Sequence, residues 1–165
     1  MKKLFLSAFM LIGLAVSTHA QDRNALGLRL GDNDGFGGEI SYQRTLASDN
    51  RLELDLGWRD SDYYDAIKLV ALYQWVWNIE GGFNWYAGLG GGVGTWEFGD
   101  DAPPYFDGDD DSGTFLLVAG DIGIEYNFDI PLQLSLDFRP ELYFGDDFRE
   151  DDFGPDIALG VRFKF

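Results

Sequence analysis

The chain has 165 residues, no cysteine, one histidine and a formal net charge of −17. The missing thiols exclude disulfides and thiolate chemistry. The acidity excludes nucleic acid as a partner, because phosphate contacts need Lys and Arg.

The first element in the chain is a secretory signal, to be removed before folding. Lys2 and Lys3 form a positive start, Leu4 to Val16 is apolar, and Ser17-Thr18-His19-Ala20 ends on a small residue. This pattern places the cut between Ala20 and Gln21, and the apolar stretch is short for a spanning helix. Residues 1–20 are thus read as signal peptide and 21–165 as one domain. Without Lys2 and Lys3 the formal charge becomes −19. A small exported domain without disulfides needs another source of stability, and a sheet closed on itself inside a bilayer supplies one. No later segment is apolar for long enough to form a membrane helix. Transmembrane strands give a weaker signal, which lies in alternation.

From here the sequence reads in steps of two, the period of strands. Residues 24–31 set Leu26, Leu28 and Leu30 against Gly27 and Arg29. Residues 36–46 set Phe36, Ile40, Tyr42 and Leu46 against Gly37, Glu39, Ser41, Gln43 and Thr45. Residues 51–60 oppose Leu52, Leu54, Leu56 and Trp58 to Glu53, Asp55, Gly57 and Arg59. In residues 66–78, Ile67, Leu69, Ala71, Tyr73, Trp75 and Trp77 share a face; the other mixes Lys68, Gln74 and Asn78 with Val70, Leu72 and Val76. Residues 83–98 are glycine-rich and leave their register open. Residues 114–128 give Leu116, Val118, Ile122, Ile124, Tyr126 and Phe128 against Leu117, Ala119, Asp121, Glu125 and Asn127. Residues 132–144 give Leu132, Leu134, Leu136, Phe138, Pro140 and Leu142 against Gln133, Ser135, Asp137, Arg139 and Glu141. Residues 156–165 give Ile157, Leu159, Val161, Phe163 and Phe165 against Ala158, Gly160, Arg162 and Lys164.

Eight strands follow. Their connections alternate between short turns (47–50, 79–82, 129–131) and generally longer Asp- and Gly-rich loops (32–35, 60–65, 99–113, 145–154). That alternation is the topology of outer-membrane barrels, with turns and both termini on the periplasmic side. The expected fold is an all-β, eight-stranded antiparallel up-and-down transmembrane β-barrel.

Three observations put the apolar face outward, toward lipid. Gly27, Gly31, Gly37, Gly57, Gly123 and Gly160 share the charged face, where a narrow lumen needs room and a solvated exterior would not. The charged face is nearly balanced. Glu39, Glu53, Asp55, Asp121, Glu125, Asp137 and Glu141 stand against Arg29, Arg59, Lys68, Arg139, Arg162 and Lys164, as an interior ion-pair network requires. Aromatic residues cluster at the strand ends: Trp58, Trp96 and Phe98 by the loops, and Trp75, Trp77, Trp85, Tyr126 and Phe128 by the turns. These form two interfacial belts. Arg44 dissents by falling on the lipid face, near the turn end, where it can snorkel.

The whole of residues 21–165 resembles the small eight-stranded outer-membrane barrels of the OmpA/OmpX type. The most specific match is the last strand, in which Ile157, Leu159, Val161 and Phe163 alternate up to a terminal Phe165. In that family such a strand is the signal read by the outer-membrane assembly machinery. The resemblance implies periplasmic chaperones and the barrel assembly machinery as partners during biogenesis, a Gram-negative outer membrane as the location, and a monomer in contact with outer-membrane lipid and lipopolysaccharide. The loops are shorter than those of family members known as adhesins.

The chemistry is sparse. His19 leaves with the signal, so neither Ser-His nor Cys-His catalysis has its parts. The outer-membrane lipid-A deacylases and palmitoyltransferases, similar in architecture, depend on a histidine absent here. No enzyme activity and no resident cofactor are expected. Asp107, Asp109 and Asp111 form an acidic loop without EF-hand spacing. Loop-bound Ca²⁺ or Mg²⁺ is an expectation there, shared with lipopolysaccharide headgroups that are themselves bridged by divalent ions. An eight-stranded barrel has an interior that side chains fill, so the function expected is non-catalytic: support of envelope integrity or a surface interaction. A narrow channel for small or hydrophobic solutes, lined by Val70, Leu72, Val76 and Leu117, is the alternative.

Overall fold

The computed structural model describes residues 23–31, 37–60, 64–98, 112–145 and 152–165. The strands are β1 (Asn24–Leu30), β2 (Gly38–Ala47), β3 (Asn50–Asp60), β4 (Tyr64–Glu80), β5 (Phe83–Phe98), β6 (Ser112–Asn127), β7 (Leu132–Phe144) and β8 (Phe153–Lys164). Each pairs antiparallel with the next, and β8 pairs with β1, closing a barrel. At the seam Asn24 N–H donates to Phe165 O at 3.1 Å, and Phe165 N–H returns a bond to Asn24 O at 2.8 Å.

The stagger of the barrel can be read from its partners. The paired positions Ala25, Gln43, Glu53, Leu72, Gly90, Ala119, Glu141 and Gly154 lead once round the wall. Ala25 itself pairs with Lys164 on β8, ten residues from Gly154. A shear of ten in eight strands tilts them by about 40°.

Alternation decides what faces where. Leu26, Leu28, Leu30, Ile67, Leu69, Val118, Leu136 and Leu159 are exposed on the outer wall, whereas the largest fully buried side chains are Arg29, Arg139 and Arg162. This is the inverse of a water-soluble core, and it is the arrangement for a barrel solvated by hydrocarbon.

β5 takes the register that its sequence left open. Leu89 and Val93 point outward, while Gly88, Gly90, Gly92 and Gly94 line the lumen. These glycines admit an apolar cluster of Ala66, Val70, Leu72, Trp96, Phe115, Leu117, Ala119 and Tyr143. A Cβ at Gly94 would fall on the Phe115 ring, and one at Gly90 on the carbonyl oxygen of Ala71. Three residues of the apolar passage expected from sequence are therefore packed against neighbours. Val76 sits apart, at the turn end.

Trp96 corrects the belt assignment. It continues the inward parity of the β5 glycines and is only 6% exposed, in room left by Gly113, whose missing Cβ would overlap the indole. Of the other aromatics expected in the belts, Tyr126 and Phe128 are half-buried at the turn end. Trp58, Trp75, Trp77 and Trp85 are exposed on the outer face, with Trp77 stacked on Trp85 at 4.3 Å and Phe83 against Tyr126 at 4.6 Å. Arg44 is exposed at the turn end. Phe36 lies outside the described residues, and β2 begins at Gly38, just after Gly37 with φ 65°.

Pro140 and Pro155 oppose each other on β7 and β8. The Asn24–Phe165 bonds fix which β8 amides face β1: the odd-numbered ones. Lys164 N–H, donating to Pro131 O at 3.1 Å, shows the even ones facing β7. β1 ends at Leu30, opposite Leu159. Pro155 thus sits where its missing donor faces no described strand, the edge position that proline tolerates.

Candidate functional site: the charged lumen

The parity that greases the outer wall delivers charges to the lumen, and the stagger brings them together across it. Arg29 of β1 contacts Asp137 of β7 (2.5 Å), Asp156 of β8 (2.6 Å) and Glu39 of β2 (3.2 Å). Arg139 of β7 reaches Glu39 (2.5 Å), Glu141 (2.8 Å) and, across the lumen, Asp55 of β3 (3.0 Å). Lys68 of β4 pairs with Glu141 at 2.9 Å and Glu39 at 3.3 Å. Nearer the turn end Arg162 holds Glu53 at 2.8 Å, Ser135 Oγ at 2.8 Å and Ser41 Oγ at 2.9 Å. Arg51 pairs with Glu125 at 2.5 Å, donates to Gln74 and lies 4.5 Å over the Tyr86 ring. Gln74 also donates to Glu53 at 3.0 Å and to Asp121. These pairs span the lumen, so together they form a plug.

Eleven of the thirteen charged-face residues expected from sequence are buried in it: Arg29, Glu39, Glu53, Asp55, Lys68, Asp121, Glu125, Asp137, Arg139, Glu141 and Arg162. Arg59 is not. It is half-buried at the loop end and lines the mouth cavity. Sequence reasoning missed Arg51 and Asp156, both of the inward parity but each at the edge of the run read from sequence. Lys164 is half-buried at the turn end. The near-neutral balance is corrected accordingly: among the described residues eight carboxylates and five cations are buried. Asp55 Oδ1 and Asp137 Oδ2 accept no hydrogen bond, and Arg51 Nη2 donates none. Asp121 makes no ion pair among the described residues and leans on Gln74 alone.

A cavity of about 550 Å³ opens at the loop end among Trp58, Arg59, Trp96 and Glu97. A smaller one, about 180 Å³, opens at the turn end among Arg23, Gln43, Val76, Asn84 and Lys164. Among the described residues no group of three or more acidic or histidine side chains is arranged to hold a metal ion. Asp107, Asp109 and Asp111 lie outside the described residues. Ile157, Leu159, Val161 and Phe163 form the exposed outer face of β8, and Phe165 is half-buried beside the seam.

Solved structures share this architecture. Neisserial surface protein A superposes with a TM-score of 0.62 at 14% identity, covering 86% of this chain and 94% of that one. The N-terminal β-barrel domain of Pseudomonas aeruginosa OprF gives 0.59 at 15%, covering 86% and 96%. The fold is that of the small transmembrane β-barrels. A third match is a de novo designed transmembrane barrel, with a TM-score of 0.56 at 12% identity, covering 89% and 98%. A sequence designed for the fold alone matches nearly as well as natural ones, so the likeness carries architecture and no activity. No protein-family model matches the chain, and no curated protein matches it in sequence.

Proposed function

We propose that the chain is a non-catalytic integral protein of a Gram-negative outer membrane, contributing to envelope integrity or surface interaction. Its turns and termini face the periplasm, and its acidic loops face outward. The observation that carries this reading is the plug: Arg139–Asp55 bridges opposite walls, Arg162–Glu53 and Arg29–Asp137 join strands three and two apart, and all are almost wholly withdrawn from water. A lumen spanned by buried ion pairs conducts only by breaking them, at several kcal/mol each. Single-channel recording on the purified barrel in planar bilayers tests the proposal. Absence of conductance is expected, and a steady open state would overturn it.

The channel reading would need the apolar cluster to part, and Val70, Leu72 and Leu117 are packed over glycine backbone. The remaining expectations extend the proposal. Outer-membrane lipid and lipopolysaccharide surround a monomer. Divalent cations bridge the loop acids to lipid phosphates, oxygen to oxygen. Periplasmic chaperones and the assembly machinery read the outward row from Ile157 to Phe165.

A further inference from the structure

We infer that the turn-end mouth of the barrel is a binding site for a phosphate group accompanied by a hydroxyl, held between Arg51 and Gln133. The site lies at the end that the transmembrane reading turns to the periplasm. The turns there, 47–50, 79–82 and 129–131, all belong to the described residues. Inward parity gathers Arg51 of β3, Asn84 of β5, Glu125 and Asn127 of β6, Gln133 of β7 and Lys164 of β8 around one cavity of about 180 Å³. That is room for about a dozen waters, and so for a phosphate group with its neighbours. In the closed ring of eight, β3 and β7 stand opposite each other, so Arg51 and Gln133 approach the cavity from facing walls.

Charge and two orphaned atoms say what the cavity takes. Its described lining includes three cations, Arg23, Arg51 and Lys164, and one carboxylate, Glu125. Glu125 is already well served: it accepts from Arg51 Nη1 at 2.5 Å, Asn84 at 3.0 Å and Asn127 at 3.2 Å. Arg51 gives its Nε–H to Gln74, while its Nη2 is buried and has no acceptor. A donor on a cation is best met by an ionised oxygen. Gln133 gives its amide N–H to Asn127 at 3.4 Å, while its Oε1 is buried and has no donor. A carboxylate or a sulfate would set oxygen against oxygen at that point, leaving it unpaired at a cost. Phosphate brings both parts, ionised oxygens for Arg51 and a P–OH for Gln133. The exposed acids of this end, Asp49, Glu80 and Asp129, stand on the turns and do not line the cavity. A free phosphate monoester and the glycerol phosphate of an anionic lipid headgroup share the required chemistry.

Phosphorus NMR on the barrel in maltoside micelles tests the site, from the broadening of the inorganic phosphate line, with folding confirmed by heat-dependent gel mobility. Phosphate should bind in the millimolar range. Sulfate, of the same shape but without a hydroxyl at neutral pH, should displace it only at about tenfold higher concentration. Lys164→Gln should weaken phosphate about fivefold. Arg44→Gln, exposed at the same end but on the outer wall, should leave it unchanged. Gln133→Leu should erase the preference over sulfate. Nanodiscs separate the two sources. Phosphate affinity that persists in phosphatidylcholine and is lost with phosphatidylglycerol assigns the site to the lipid headgroup; affinity equal in both assigns it to the free anion. Sulfate binding as well as phosphate, or Lys164→Gln and Arg44→Gln behaving alike, would overturn the inference. A folded barrel that binds neither anion would overturn it and leave the transmembrane reading standing. A chain that never gains heat-modifiable mobility in micelles would overturn both, because no barrel mouth forms.

Discussion

Arg139 is the cation whose loss the lumen should feel most, and the structure sets how much. Replacing it with Met removes its contacts to Glu39, Glu141 and Asp55. Glu39 keeps Arg29 and Lys68, and Glu141 keeps Lys68. Asp55 keeps no ion pair among the described residues, so one carboxylate, not three, loses its contact cation. Stranding one buried charge costs about 3–5 kcal/mol, which is about two to three and a half decades in the folding equilibrium. Adding Asp55→Asn removes the stranded charge and should restore all but about 1 kcal/mol, the cost of lost hydrogen bonds. Urea titration of the barrel in phospholipid vesicles, followed by tryptophan fluorescence and by gel mobility, measures both. A loss below about 1 kcal/mol for Arg139→Met, or no rescue by the second change, would refute the view of the lumen as an acid-rich, cation-limited plug.

Asp121→Asn should behave in the opposite sense: with no ion pair to lose and Gln74 still bonded, stability should stay within about 0.5 kcal/mol or rise, by the same titration. Gly94→Ala drives a methyl into the Phe115 ring and against the Ile67 carbonyl oxygen and should cost about 1–3 kcal/mol; pairing it with Phe115→Leu should recover only part of that loss, because the second obstacle is backbone. In variants retaining a single tryptophan, brominated lipid should quench Trp58 and Trp85 but leave Trp96 bright. Equal quenching would return Trp96 to the lipid face. Deleting Phe165 should lower the yield of heat-modifiable barrel in cell envelopes, and an unchanged yield would remove it from the assembly signal.

Most of the wall was legible because a strand in lipid keeps an apolar face outward at every second residue. The bounds of β7 coincide with the run from Leu132 to Phe144, in which every second residue is polar. The failures have physical causes. Arg51 and Asp156 share the inward parity, but each stands at the edge of its run, where the pattern has one neighbour instead of two. Trp96 was placed by residue type, because tryptophan favours interfaces; parity with Gly94 would have placed it correctly. The partners inside the lumen were not legible at all. Arg51 meets Glu125, 74 residues away, because a shear of ten carries facing positions round the wall, and that offset is set by every turn at once.

The contacts of Arg29 bear on how the seam fails. β1 is the shortest strand, with seven residues, and its guanidinium grips both flanking strands and the one beyond β8. Peeling β1 away would part the Arg29 guanidinium from the Asp137 carboxylate in a dry cavity, so the join resists loosening at that level. One side chain therefore clasps four neighbouring strands at the seam, its own included.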